Sequence, residues 1–139
     1  MADKQHFAAS LRSLTPLAGW LANHMAELPV LEEWQFALDL AACEAATNII
    51  RYALHEDDSR SFSAEFTATD EEVCLRFTDS GDAMPDGLIE AARATDFAEM
   101  SPLMESGRGL KLILLCVDTF DYAREADRNI TTLVKTFTG

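Results

Sequence analysis

The sequence predicts a layered α/β (α+β) sandwich, in which a largely antiparallel sheet is covered on one face by helices. Three observations lead there. Segments with helical periodicity open the chain and return near its end, segments with two-residue alternation arrive as adjacent pairs, and strands do not alternate singly with helices as a doubly wound parallel sheet requires. The order is helix, helix, two strands, an irregular stretch, helix, two strands. At 139 residues, 48% of them hydrophobic, the chain suits one domain spanning 1–139 that buries roughly two thirds of its unfolded surface.

A short extended start near His6 to Ala9 leads to Thr15-Pro16, which reads as a cap residue followed by proline at the first helical position. In LAGWLANHMAEL, residues Leu17, Trp20, Leu21, Met25 and Leu28 form one helical stripe, and Pro29 ends the helix. A longer helix is expected from about Leu31 to Leu54, with acidic residues in its first turn and apolar residues on most sides, so it should be largely buried. HEDDSR is a loop. Phe62, Ala64, Phe66 and Ala68 then alternate as a strand, Asp70 to Glu72 turn, and VCLRFTD follows as the hairpin partner. From Asp86 to Ser106 a short helical piece, GLIEAARA, precedes a segment without period, read as a mobile flap. GRGLKLILLCV is an apolar helix opened by two glycines, and the strands FDYA and ITTLVKTF, joined by EADRN, close the chain.

Acidic residues outnumber basic ones by 24 to 11, and the formal charge of −13 repels nucleic-acid backbone and anionic lipid alike. Neither nucleic acid nor membrane is expected as a partner. No apolar run approaches the ~18 residues of a membrane span, and the N-terminus lacks the apolar region of a signal peptide, so a cytoplasmic protein is expected. Cys43, Cys74 and Cys116 stand singly, without metal or disulfide spacing, and read as reduced, mostly buried thiols.

Three polar constellations interrupt this apolar chain. The first is EAATN on the long helix, where Glu44 and Asn48 are four residues apart on one face and Arg51 lies one turn further. A carboxylate for proton abstraction, an amide oxygen for a hard cation and a guanidinium for phosphate could share a cavity there; an exposed polar stripe is the plainer alternative. The second is DSGDAMPDG. Because Val73, Leu75 and Phe77 define the apolar face, Asp79 lies on it, and a carboxylate withdrawn from water must meet a donor or an opening. With Gly81 admitting a ligand close to the backbone and Met84 as a soft apolar wall, it suits an exocyclic amine such as that of adenine; a tight Asx turn capping the next helix fits equally. The third is ESGRGLKLILL, where glycines at a helix start offer free N–H groups to an anion, with Arg108 and Lys111 adding charge, or simply make a tight packing turn.

Taken in order, EAATN, DSGDAMP and SGRGL resemble the N, G1 and G2 boxes of the GHKL ATP-binding superfamily, whose Bergerat fold is an α/β sandwich with a mostly antiparallel, mixed sheet. ITT near the end resembles its final Thr-bearing strand, and the likeness runs from about residue 7 to 137. The small size and the EAxTN form point to the anti-sigma factor serine kinases of the RsbW/SpoIIAB type. The resemblance implies ATP and Mg²⁺ as cofactors. Asp79 would accept the adenine amino hydrogen, Gly81 and Met84 would border the base, Thr131 would assist through water, Asn48 would hold Mg²⁺ and Arg51 would reach phosphate. Gly107, Arg108, Gly109, Leu110 and Lys111 would cradle the phosphates, an ATP lid would span about 87–106, and Glu44 would be the general base toward a Ser or Thr hydroxyl of a protein substrate.

Three positions depart from the pattern: Ala83 and Lys111 replace glycines of the two glycine boxes, and Ile130 replaces the glycine before the Thr pair. Lys111 offers itself as a compensating phosphate contact. The expected role is a kinase of a bacterial partner-switching module that binds a sigma factor or another regulator, phosphorylates a STAS-domain antagonist, and forms a homodimer. The alternative is a non-catalytic nucleotide-binding module that controls a phosphatase or cyclase by contact. A histidine-kinase fragment fits less well, because His6, His24 and His55 read as surface or packing residues rather than as phosphoacceptors.

Overall fold

The computed structural model describes residues 2–94 and 105–137, with the side chains of 105–108 outside that description. The chain begins in β1 (Ala2–Ala8), earlier than the side chains announce. Only Phe7 of this strand is buried, so the alternation is almost silent. It is the backbone that pairs with β2 along its whole length, from Ala2↔Thr67 to Ala8↔Ser61.

Ser10 caps the next turn by accepting the Arg12 N–H on its Oγ at 3.2 Å. A 3₁₀ turn at Leu11–Ser13 runs directly into α1 (Leu14–Met25). The helix therefore starts before Thr15, and Pro16 sits in its first turn, where the missing N–H would have had no intrahelical partner. Leu17, Leu21 and Met25 are buried along the expected stripe, with Trp20 and Leu28 packed at its edge.

Helix α2 (Glu32–Asn48) continues through a π-helical turn at Ile49–Ala53, closed by the Leu54 N–H on the Ile49 carbonyl at 2.9 Å. The expectation that this helix is buried on most sides is corrected. Leu38, Ala41, Ala42, Ala45 and Ala46 form one buried face, while Leu31 and Phe36 remain 74% and 69% exposed. The small residues on the buried face let α2 lie close to its neighbours, the sheet on one side and α4 on another.

The sheet runs β1-β2-β3-β5-β4, adding β2 (Ser61–Ala68), β3 (Glu72–Asp79), β4 (Thr119–Glu125) and β5 (Arg128–Thr136) to β1. Among the described residues every adjacent pair is antiparallel, so the sheet is antiparallel rather than mixed there. One face is packed beneath the helices, and registration turns it into cross-strand rows. Phe66, Leu75, Leu133 and Phe120 form an apolar row; Ala64, Phe77, Thr131 and Tyr122 form the next; Asp79, Asn129 and Arg124 end the series. The inner face thus changes from hydrocarbon to polar as it approaches one end of the sheet. On the other face Lys4, Glu65, Arg76, Thr132 and Asp121 share a row in which Glu65 stands between two cations.

After β3 the chain passes into α3 (Leu88–Ala94), reached through Gly87 at φ +81°, and the rest of the expected lid, 95–104, lies outside the described residues. Helix α4 (Glu105–Cys116) packs against α2 and buries Leu110 and Ile113. The β4–β5 hairpin turns through Ala126, held at φ 56° in the left-handed region. Among the described residues no helix is long and apolar enough to cross a membrane. The three cysteines are free and only half-buried, not mostly buried as expected, although burial still raises each thiol above its ordinary pKa.

Candidate functional site

The polar end of the inner face floors a cavity of about 400 Å³. Its far wall is the C-terminal part of α2 with the π turn, its rim is the loop after β3, and Leu88 of α3 and Leu110 of α4 close the remaining sides. Asp79, Met84, Asn48, Leu110 and Thr131 all line it, together with Ile49, Tyr52, Asp82, Ala83, Tyr122 and Asn129. Most of this lining is apolar, which suits a planar base gripped by a few polar groups.

Asp79 is 4% exposed. Its Oδ1 accepts two hydrogen bonds at 2.8 Å, from the Gly81 N–H and from Asn129 Nδ2. With Oδ1 so engaged, Oδ2 is the acceptor that Asp79 can present to the cavity. Burial pushes the carboxyl above the ordinary carboxylate value, while those two hydrogen bonds and the charges of Arg124 and Arg60 pull it down; burial prevails. The opening expectation of a buried carboxylate with specific donors is met in this geometry, and the donor comes from an unexpected place.

That place is the start of β5. Asn129 is 1% exposed and stands directly opposite Asp79 in the β3–β5 register. Sequence reasoning assigned it to the turn EADRN, where asparagine is common for local reasons. Counting two residues back from Leu133 and Thr131 along the inner face would have found it. Tyr122 and Arg124, on the neighbouring strand, were missed for the same reason: their partners lie across the sheet rather than nearby in the chain.

The loop between Asp79 and Met84 is held from several sides. Arg124 donates to the Gly81 carbonyl at 2.9 Å, Arg60 donates to the Ser80 carbonyl at 2.8 Å, and the Met84 N–H donates to the Tyr122 hydroxyl at 2.9 Å. The Asp82 N–H reaches the Ala53 carbonyl at 3.0 Å, and at the mouth His55 Nε2 lies 2.6 Å from Asp82 Oδ2. Gly81 has a different task from the expected one. A Cβ there would stand 2.2 Å from the Ala53 carbonyl oxygen, so the close approach it permits is to the end of the π turn, and it does not line the cavity.

Beyond Asn48 the helix pair α2 and α4 comes together at Gly109. A Cβ on this glycine would meet Glu44 Oε2 at 2.9 Å and both Asn48 amide heavy atoms at 3.6 Å. Glu44 and Asn48 therefore face one point on α4, with Asn48 also opening onto the cavity. Because α4 already begins at Glu105, Gly109 is its fifth residue and its N–H belongs to the helical ladder rather than to a free first turn. Gly107 falls in that first turn, and the Arg108 side chain lies outside the described residues.

Two expected phosphate contacts are not brought to the cavity. Lys111, two residues past Gly109 and thus just over half a turn around the helix, does not line the cavity and donates to the Arg93 carbonyl at 3.5 Å. Arg51 is exposed on the π turn and does not line the cavity. Of the departures from the pattern, Ala83 lines the cavity, whereas Ile130 pairs with Thr78 and Ala123 on the opposite face of the sheet and leaves the site untouched. Among the described residues no group of three or more His, Cys, Asp or Glu side chains could hold a metal ion.

The sequence model of the histidine kinase-like ATPase domain matches residues 7–135, nearly the whole chain. The chain belongs to this family. Membership explains the arrangement of layers and makes the chain an ATP-binding domain of the kinase-like type. No curated protein matches the chain closely enough to narrow this further.

Proposed function

We propose that this ATP-binding domain is a serine/threonine protein kinase and an anti-sigma-type switch protein, which phosphorylates a STAS-domain antagonist in a bacterial partner-switching pathway. The observation that carries the reading is Glu44 standing with Asn48 at Gly109, where Asn48 also lines the cavity. A module that only bound nucleotide would have no use for a carboxylate at that place.

In this reading Asp79 Oδ2 accepts the adenine amino hydrogen and Met84 lies against the base. The ribose and phosphates run toward Asn48. The Asn48 amide oxygen would hold Mg²⁺ as a hard ligand, and the ion bound with the nucleotide would supply neutralisation of phosphate charge. Main-chain N–H groups in the first turn of α4, including that of Gly107, meet the phosphates. Glu44 takes the proton from the substrate hydroxyl as its oxygen attacks the γ-phosphorus, and ADP leaves with the displaced bridging oxygen. The switch arises because a phosphate on the antagonist adds close to two negative charges at its docking surface. A sigma factor or another regulator is then held or released accordingly, and a homodimer is the expected assembly.

The test is transfer of labelled γ-phosphate from Mg-ATP to a STAS-domain protein. Wild type should label a Ser or Thr, and Glu44→Gln should lose label by about 10²–10⁴-fold while binding ATP normally. If Glu44→Gln labels its partner as fast as wild type, the assigned base is wrong. If no STAS-domain protein is labelled although ATP binds, the non-catalytic regulatory module becomes the better account.

A further inference from the structure

We propose that Asn129 is the positioning residue that makes the cavity specific for a purine bearing an exocyclic amine, and that Tyr122 and Arg124 lock it in that role. The proposal rests on the reading of this cavity as the ATP base site. What it adds is a second layer of side chains behind Asp79, drawn from strands β4 and β5.

An asparagine amide presents an oxygen on one side and an NH₂ on the other, and swapping them inverts its chemistry. Here the oxygen receives Arg124 Nη1 at 2.8 Å and the Tyr122 hydroxyl. Arginine can only donate. The tyrosine hydroxyl already accepts the Met84 N–H, so its own proton is directed to the same oxygen. Two donors thus fix which side carries the oxygen, and the NH₂ must face the loop.

Nδ2 then donates to Asp79 Oδ1 at 2.8 Å, to the Asp82 carbonyl at 2.9 Å and to the Gly81 carbonyl at 3.3 Å. Gly81 adds its own N–H to the same Oδ1. Rotation of the Asp79 carboxylate would trade these bonds away, so Oδ1 stays turned to the protein and Oδ2 alone faces the ligand. The lock also holds the Met84 backbone through Tyr122, which keeps one wall of the cavity at a set distance from the acceptor. An adenine amine meets this oxygen as a donor. A carbonyl at the same ring position meets it as a second acceptor, with no donor between them.

The experiment is calorimetric titration of the full chain, at fixed Mg²⁺, with ATP and with inosine triphosphate, which carries a carbonyl where adenine has its amine. Wild type should prefer ATP by at least about 100-fold, the worth of one hydrogen bond to a charged acceptor together with the repulsion that replaces it. Asn129→Asp keeps acceptors for Tyr122 and Arg124 but sets a carboxylate against Asp79, and the preference should collapse to within a few-fold of unity. Tyr122→Phe, a milder change for folding, should reduce the preference about 3- to 10-fold with both nucleotides still bound. The ratio is the diagnostic, since a merely structural residue would lower both affinities together.

The proposal is overturned if Tyr122→Phe, or a folded Asn129→Asp, weakens both nucleotides equally and keeps the wild-type ratio. If Asn129→Asp does not fold, Tyr122→Phe decides alone. Wild type that prefers ATP, with variants that share its preference, sinks this proposal while leaving the base site standing. Wild type that binds neither nucleotide removes both.

Discussion

Asp79 lies on the apolar face of β3, and its raised pKa fixes the sign of its contribution to stability. The folded state holds this proton more tightly than the unfolded chain does. Its contribution therefore favours folding at pH below the ordinary carboxylate pKa of about 3.9 and is lost as pH rises through the raised folded value. Asp79→Asn removes that cost. Its amide oxygen can still accept the Gly81 and Asn129 donors, so we expect thermal stability at pH 7.5 equal to or above wild type, with the difference shrinking as pH falls toward 4; melting curves across that range check this. Binding should suffer instead, because the amide turns an N–H toward an adenine N–H. A loss of about 1.5–3 kcal/mol, or about 10- to 100-fold in affinity, follows from one charge-assisted hydrogen bond. Glu44 should behave oppositely: as the proposed base, its removal should lower transfer without changing nucleotide affinity.

At the scale of elements, what could be read from the chain and what could not divides along physical lines. Strands β2 and β3 were legible because one face of each is hydrocarbon, and Asp79 stood out against that background. Strand β1 was legible only as an extended start near His6 to Ala9; its extent back to Ala2 was not, since Phe7 is its only buried residue and its place depends on backbone pairing with β2. The N-terminal start of α1 was hidden by the capping of a 3₁₀ turn at Ser10, and the π turn at Ile49–Ala53 leaves no mark in apolar periodicity. The glycines were legible as positions of close approach, but what approaches them is tertiary. Two substitutions separate the cases. Gly81→Ala drives a methyl against the Ala53 carbonyl, which is backbone and cannot yield locally, so unfolding free energy should drop by about 1–3 kcal/mol in denaturant titrations. Gly109→Ala meets the flexible end of Glu44 instead. Its melting temperature should stay within a few degrees of wild type, while phosphoryl transfer falls at least about tenfold because the base is displaced.

For the whole molecule, the dominant fact outside the site is a formal charge of −13 on 139 residues. Like charges oppose compaction, and salt screens them as the Debye length contracts from about 30 Å at 0.01 M to about 8 Å at 0.15 M. The melting temperature should therefore rise over that range of NaCl; a fall would mean that local ion pairs outweigh the net repulsion. The same charge repels a triphosphate, so in the proposed reading the site would supply its own attraction, through donors at α4 and a cation carried by the nucleotide and held at Asn48. The fold supplies the geometry for both: antiparallel registration collects Asp79, Asn129 and Arg124 at one end of the sheet, and small residues on α2 allow α4 to bring Gly109 against Glu44 and Asn48. The most direct test of this account is calorimetric titration of wild type and Asp79→Asn with Mg-ATP, with melting curves of both in the same buffer. We expect both proteins to be folded, wild type to bind ATP, and the variant to bind it about 10- to 100-fold more weakly. A folded Asp79→Asn that binds ATP as tightly as wild type, or a folded wild type that ignores millimolar ATP, would contradict it.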